Sequence, residues 1–382
     1  MAENDARYRV RDGAAFDEMR QHILQMYDGV EVEHSFLDDH HFDCVPVHSQ
    51  PSVRASGASI ATPPPLLTAS TGHVSVVQGR RDDFGNALEC LEGTIPMLRL
   101  SFDRLLRFHT LDHFFAKTAA GPTSNSSLES TGSAHKYAHA YQSVANEGGT
   151  SEFEISNPSG DFTLSQHWYS AYLSSGSVQT AECGNVHYPD AGWNPAVLFV
   201  YHTNNGYAAG SGCYNLDCAG FVQVDNTYAL AGKWPSYSSD GGIQTVLSLG
   251  YQFSEGNWWL HVGGKFIGYY PGSVYNGGPM AQGATGIDYG GETYTSGSTW
   301  PQMGSGEFAS SGWKRAAFHR NINYYSGGAA HTAALNTVAY DTTCYTIDQH
   351  AATDGSNWGA YFYFGGPGGS PCSSAVAAEV VV

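Results

Sequence analysis

No apolar run in this chain approaches the ~20 residues a helix needs to cross a bilayer, so a transmembrane helix is excluded. Positive charge is also scarce. Only 17 Lys+Arg stand against 35 Asp+Glu, for a formal charge of -18. No cluster of Lys and Arg is present to neutralise phosphates, which argues against nucleic acid as a partner. The 17 histidines show no HExxH spacing and the seven cysteines no zinc-site spacing, so neither a metal nor another cofactor is expected. His167, His187, His261 and His319 are read as surface or packed residues. Two further chemistries lack their setting: Gly304-Ser305-Gly306 stands in β surroundings rather than at a strand-to-helix elbow, and no nucleophile motif surrounds Cys183. The opening residues, MAENDARYRVRDG, lack the apolar centre of a secretory signal.

What is present is glycine, with 46 residues, and aromatic side chains, at 13 %. A chain of 382 residues has length for about two domains. The charge divides it: 11 of the 17 basic residues lie before residue 131, leaving 6 basic and 17 acidic groups beyond. A surface of Gly, Ser, Thr, Asn and Tyr changes little in charge when acid protonates its carboxylates, so the second part is suited to low pH. Before the divide, Phe16, Met19, Ile23, Met26 and Tyr27 recur at helical spacing over 14–27, ended by Asp28-Gly29. The alternation at 73–77 suggests a strand, and Leu105, Leu106, Phe108 and Leu111 suggest helix within 98–115. This is an α+β pattern. Residues 119–132, AAGPTSNSSLESTG, read as an exposed, protease-sensitive linker. Beyond it, short Tyr-, Trp-, Thr- and Val-rich segments at 162–169, 177–188, 196–202, 221–224, 244–253, 258–262, 266–270 and 361–364 are separated by Gly and Asn. The expected fold is all-β, an antiparallel β-sandwich preceded by a small α+β domain.

Two acids stand out. Glu292 follows Gly290-Gly291, and residues without a Cβ let another backbone or a substrate come close. Glu182 lies in the strand pattern at 177–188 on the face of Val178 and Thr180, where unpaired acids fit poorly. Peptide hydrolysis without a metal needs one group to take a proton from water and another to protonate the leaving nitrogen. Two carboxylates facing one groove can divide those tasks, because their repulsion keeps one protonated at mildly acidic pH. Gln166 is a candidate support through its amide. The alternative reading of an aromatic-rich sandwich is a carbohydrate-binding or glycoside-cleaving protein.

An ordered series of strings narrows this. Glu92-Gly93-Thr94-Ile95-Pro96 is followed by His135-Lys136-Tyr137-Ala138, then by Thr180-Ala181-Glu182 and by Gly212-Cys213-Tyr214-Asn215-Leu216-Asp217-Cys218. Gly256-Asn257-Trp258-Trp259-Leu260, Gly290-Gly291-Glu292, Gln302-Met303-Gly304-Ser305-Gly306 and Tyr363-Phe364-Gly365-Gly366-Pro367-Gly368 complete the series. In this order they resemble the neprosin family of glutamic peptidases. The resemblance implies a secreted zymogen: residues 1–118 an activation propeptide acting as an intramolecular inhibitor and removed under acid conditions, 119–132 the processing linker, and 133–382 the catalytic sandwich. It implies catalytic roles for Glu182 and Glu292, substrate approach over Gly290 and Gly291, and cleavage after proline in peptides or proline-rich proteins. It also implies disulfides Cys44–Cys90, Cys213–Cys218 and Cys344–Cys372; the last pair but one also flanks a turn short enough to close. Seven cysteines leave Cys183 unpaired. The sequence departs from the family after Glu182, where Cys183-Gly184-Asn185 replaces Ala-Gly-Trp.

Overall fold

The computed structural model describes residues 7–68, 81–118, 135–352, 356–370 and 372. The strand expected at 73–77 and the linker at 119–132 lie outside these residues. The N-terminal part comprises helix α1 (Gly13–Tyr27), strands β1 (His34–Asp38) and β2 (His40–Pro46), helix α2 (Pro51–Ser56), strand β3 (Thr94–Leu98), and helices α3 (Phe102–Leu105) and α4 (Leu111–Phe115). Helix α1 begins where the Asp12 carboxylate accepts from the Ala15 amide and buries Ala15, Met19 and Met26. Strand β3 is the Thr-Ile-Pro string. It pairs with β2 at the edge of a three-stranded antiparallel sheet, the position where a proline without an N–H is tolerated.

The helical expectation over 98–115 is corrected. Leu98 ends β3, and the helix splits because Ser101 and Thr110 each cap a new start, accepting from the amides of Arg104 and His113. Between them Phe108 turns into the core.

The second part is built from β4 (His135–Asn146), β5 (Gly148–Glu154), β6 (Phe162–Tyr172), β7 (Val178–Tyr188), β8 (Trp193–Thr203), β9 (Val222–Gln223), β10 (Val246–Ser254), β11 (Asn257–Val262) and β12 (Lys265–Pro271). It continues through β13 (Ala284–Tyr294), β14 (Ala317–Ser326), β15 (Ala329–Thr332), β16 (Asn336–Ala339), β17 (Thr346–His350) and β18 (Tyr361–Gly365). The strands form two antiparallel sheets: β16-β4-β13-β6-β7-β8, and β17-β18-β14-β5-β10-β11-β12-β9 with β15 on β14. The expected sandwich is present, and every strand expected beyond residue 132 is found, with shifts of a few residues at its ends. Strands β4, β5 and β13 to β17 were not legible. In β13 the Gly290-Gly291 pair, poor in strand propensity, hides a central strand.

The core between the sheets is aromatic, with Tyr169, Tyr251, Trp258 and Tyr289 buried. His167 and His319 lie there too, both facing the Ser151 hydroxyl at 2.9 Å. A strand covered on one face alternates in burial, yet all eleven residues of β7 are buried. The N-terminal part covers its other face: Phe108 packs edge-on against Tyr188, and Arg104 forms a bidentate pair with Asp217 at 3.0 and 2.9 Å. On the opposite side of the sandwich, Gln252 donates to Pro65 O and accepts from Leu67 N, so the Pro-rich segment lies across the second sheet. The disulfides are Cys44–Cys90, Cys213–Cys218 and Cys344–Cys372, and Cys183 is a buried thiol.

Candidate functional site

The site lies on the face of the six-stranded sheet turned away from its partner sheet. Register places it. Strand β6 runs between β13 and β7, with Trp168 opposite Asp288 on one side and Glu182 on the other, and Gln166 opposite Gly290 and Gly184. Because residues directly opposite share a face, Glu292, Gly290, Asp288, Gln166, Trp168, Glu182 and Thr180 all present to one surface. Sequence placed Glu182 and Glu292 on separate strings; the sheet brings them together with Gln166 between.

Lys117 joins them. Its ammonium stands 2.7 Å from Glu182 Oε2 and 2.8 Å from Glu292 Oε2, so those oxygens lie no further apart than the two contacts laid end to end. Both carboxylates are inaccessible, at 0 % and 1 % exposed. Lys117 comes from the N-terminal part, just before the linker, and reaches the sheet because the chain is fixed on both sides. Tyr201 donates to Phe115 O, and Tyr214 donates to Lys117 O at 2.8 Å. The ammonium also lies 5.5 Å from the Trp168 ring and 5.4 Å from that of Tyr207, within cation–π range.

The remaining partners differ. Glu182 Oε1 accepts from the hydroxyls of Thr180 and Tyr207, both at 2.7 Å. Glu292 accepts from the Gln166 amide at 3.0 Å and from Tyr137 at 3.3 Å, and its Oε1 stands 2.8 Å from His135 Nδ1. Burial works to raise the Glu292 carboxyl, but the Lys117 charge and then His135 outweigh it and hold the group at about 2. Burial likewise disfavours the Lys117 ammonium, and the two carboxylates overcome that and raise it. Tyr137 and Tyr207 are pushed up by burial and by the carboxylates, so they remain protonated donors.

The glycines before Glu292 serve the sheet. A Cβ on Gly290 would meet Ala138 O at 2.5 Å, so its small size admits the backbone of β4. Gly291 faces the inter-sheet core, where a Cβ would strike Met303 at 2.5 Å. The expected approach of a substrate over Gly291 is therefore corrected: that position is closed by packing. Lys117, Tyr207, Thr180, Tyr137 and His135 were not singled out for the site. One signal was available for the first, since Lys117 is the only lysine before residue 131.

What the arrangement offers chemically is a pair of buried carboxylates within reach of one small group, with hydroxyl, amide and imidazole partners fixed around them. A cation fills the position between them. Comparison of the chain with known families gives a match to the family model described as Neprosin over residues 159–367.

Proposed function

Since the chain belongs to the Neprosin family, with which peptidase activity is associated, we propose that it is an acid-active glutamic endopeptidase made as a zymogen, cutting on the carboxyl side of proline. The observation that carries this reading is the Glu182–Lys117–Glu292 bridge. A lysine between two paired carboxylates occupies the space that a water and a substrate carbonyl need. Residues 1–118 act as the propeptide, and cutting within 119–132 separates Lys117 from the catalytic domain.

Once the ammonium leaves, the two carboxylates repel each other and one retains a proton. The partners decide which. Glu292 accepts from the Gln166 N–H and stands beside His135, so it is the better-stabilised anion. Glu182 faces two hydroxyls, which can rotate to accept from a protonated carboxyl. Glu292 thus takes the proton from the attacking water. Glu182 polarises the carbonyl and protonates the leaving nitrogen, with Gln166 holding Glu292 in place. The three disulfides fit an oxidising compartment, and no helix among the described residues is long and apolar enough to cross a membrane. We therefore read the protein as secreted, acting on proline-containing chains.

The test is cleavage of a proline-containing peptide at acid pH by the processed chain. Glu182→Gln and Glu292→Gln should each lower kcat by about 10³-fold or more with the fold intact, since each removes a proton-transfer group. Loss of activity with chelators, or full activity in either variant, overturns the reading.

A further inference from the structure

Beside the carboxylate pair, on the same face of the sheet, lies a small pocket of about 60 Å³, walled by Tyr137, Trp168, Val178, Tyr207 and Tyr340, with His139 and Asp288 within its lining. It adjoins the pair directly. Tyr137 and Tyr207 donate to Glu292 and Glu182, and the Trp168 and Tyr207 rings are those against which Lys117 rests. Lys117 thus stands on the carboxylates and against two of the pocket's walls.

His139 is set within it. Its Nδ1 stands 2.7 Å from Asp288 Oδ1, and its ring lies parallel to Tyr340 and edge-on to Trp168. The other nitrogen, Nε2, is buried and has no hydrogen-bond partner among the described residues. A buried polar atom without a partner incurs a desolvation penalty that a ligand can remove. We propose that His139, oriented by Asp288, is a specificity-determining residue that donates from Nε2 to a neutral carbonyl oxygen on a substrate residue next to the scissile bond. This rests on the peptidase reading above.

The charges select the acceptor. Asp288 already balances the imidazolium, and Glu182 and Glu292 lie close by, so a substrate carboxylate would meet net negative charge. A neutral carbonyl accepts from the N–H without that repulsion. The two sources of that chemistry are a carboxamide side chain, as in Gln or Asn, and the main chain of the substrate. The aromatic walls suit the apolar body of such a residue. The groups around His139 are Asp288 and Glu292 on β13, Tyr137 and Tyr141 on β4, and Tyr340 beyond β16, with Tyr207 across the pocket and Lys117 acting on Asp288 until it leaves. Burial acts to lower the imidazole, while Asp288 and then Glu292 act to raise it, and the net direction is upward. With Nδ1–H directed at Asp288, Nε2 carries a hydrogen only in the protonated ring. The grip is thus complete in acid and lost as pH rises through the elevated imidazole value.

The experiment measures kcat and KM of the processed wild-type, His139→Phe, His139→Gln and Asp288→Asn proteins. The peptides differ only in Gln or Met at positions flanking the proline bond. For the acceptor-bearing peptide, His139→Phe should raise KM about tenfold, as for loss of one hydrogen bond to a charged donor, with kcat within about twofold. His139→Gln, which keeps an N–H donor, should recover part of the loss. Asp288→Asn should shift the rise of KM with pH to lower pH. A KM effect confined to the Gln peptide assigns a side-chain acceptor, and an equal effect on both peptides assigns the main chain; either supports the proposal. Unchanged KM on every peptide, or a fall in kcat alone, overturns it. Binding of the Gln peptide to Glu182→Gln protein cut in the linker by an added protease, followed by tryptophan fluorescence, separates the two readings. If wild type cuts nothing but His139→Phe weakens this binding, the peptidase reading fails and the His139 contact stands.

Discussion

The residue on which the site turns is Lys117, and on the proposed zymogen reading its electrostatics would set the pH at which it leaves the carboxylates. Glu292 is held at about 2, below the ordinary carboxylate value. A carboxyl with a depressed value contributes stability that is present above its unfolded value and lost as pH falls through the folded one. The bridge therefore stays closed at pH 4 to 5, and self-processing of the intact chain should accelerate as pH falls from about 3 toward 2, followed by gel analysis of the cut within 119–132. A rate that reaches its plateau by pH 5 would contradict this. Glu182 and Glu292 were legible because each sits in a short string, Thr-Ala-Glu or Gly-Gly-Glu, that survives as a local pattern. Lys117 was not, because its contact with Glu292 spans 175 positions and leaves no local trace. The Arg residues of the N-terminal part divide between partners in the two parts of the chain. Arg9–Asp190 and Arg104–Asp217 do cross, whereas Arg99 and Arg107 pair with Asp43 and Asp103 in their own part.

At the scale of the element, strands β13, β6 and β7 hold the carboxylates in register, and their glycines are hemmed in by different neighbours, backbone at Gly184 and side chains at Gly291. Strand β7 was readable from its run of Val, Thr and Tyr, while β13 was obscured by the glycines that let it pack. Their tolerance should differ. A Cβ on Gly184 would lie 2.1 Å from the Ser165 carbonyl oxygen, which cannot move without breaking the β6–β7 ladder. On Gly291 it would meet the flexible Met303 side chain at 2.5 Å. Gly184→Ala should destabilise the protein by about 3 kcal/mol or more and Gly291→Ala by about 1–2 kcal/mol, read from urea midpoints. The reverse order would show that the register of β6 on β7 is softer than described.

For the whole molecule, an acid setting acts on buried groups in opposite directions. Glu154 is pushed up to about 7 by burial against its serine contacts, so in the folded state it holds a proton that the unfolded chain has released; its penalty grows as pH rises from about 4.5 through 7 and vanishes in acid. His261, His319 and His202 are held down by burial, to about 3, 3 and 4. They remain neutral in the fold while the unfolded chain takes up protons below about 6.5, so they weaken the fold as pH falls. His261 is the cleanest case, since both ring nitrogens are buried without partners among the described residues. His261→Leu should gain roughly 3 kcal/mol more stability at pH 4 than at pH 8, measured as the shift in urea midpoint at each pH. An equal effect at the two values would show that this histidine already charges in the fold.

Whether one lysine holds the two glutamates idle is read from the self-processing rate of the full chain at pH 4 with Lys117→Met. The substitution keeps the side chain's length and removes its charge. Processing at least about tenfold faster than wild type is expected, and it is abolished when Glu292→Gln is added. A Lys117→Met chain that processes at the wild-type rate, or one that still processes with Glu292→Gln, would contradict it.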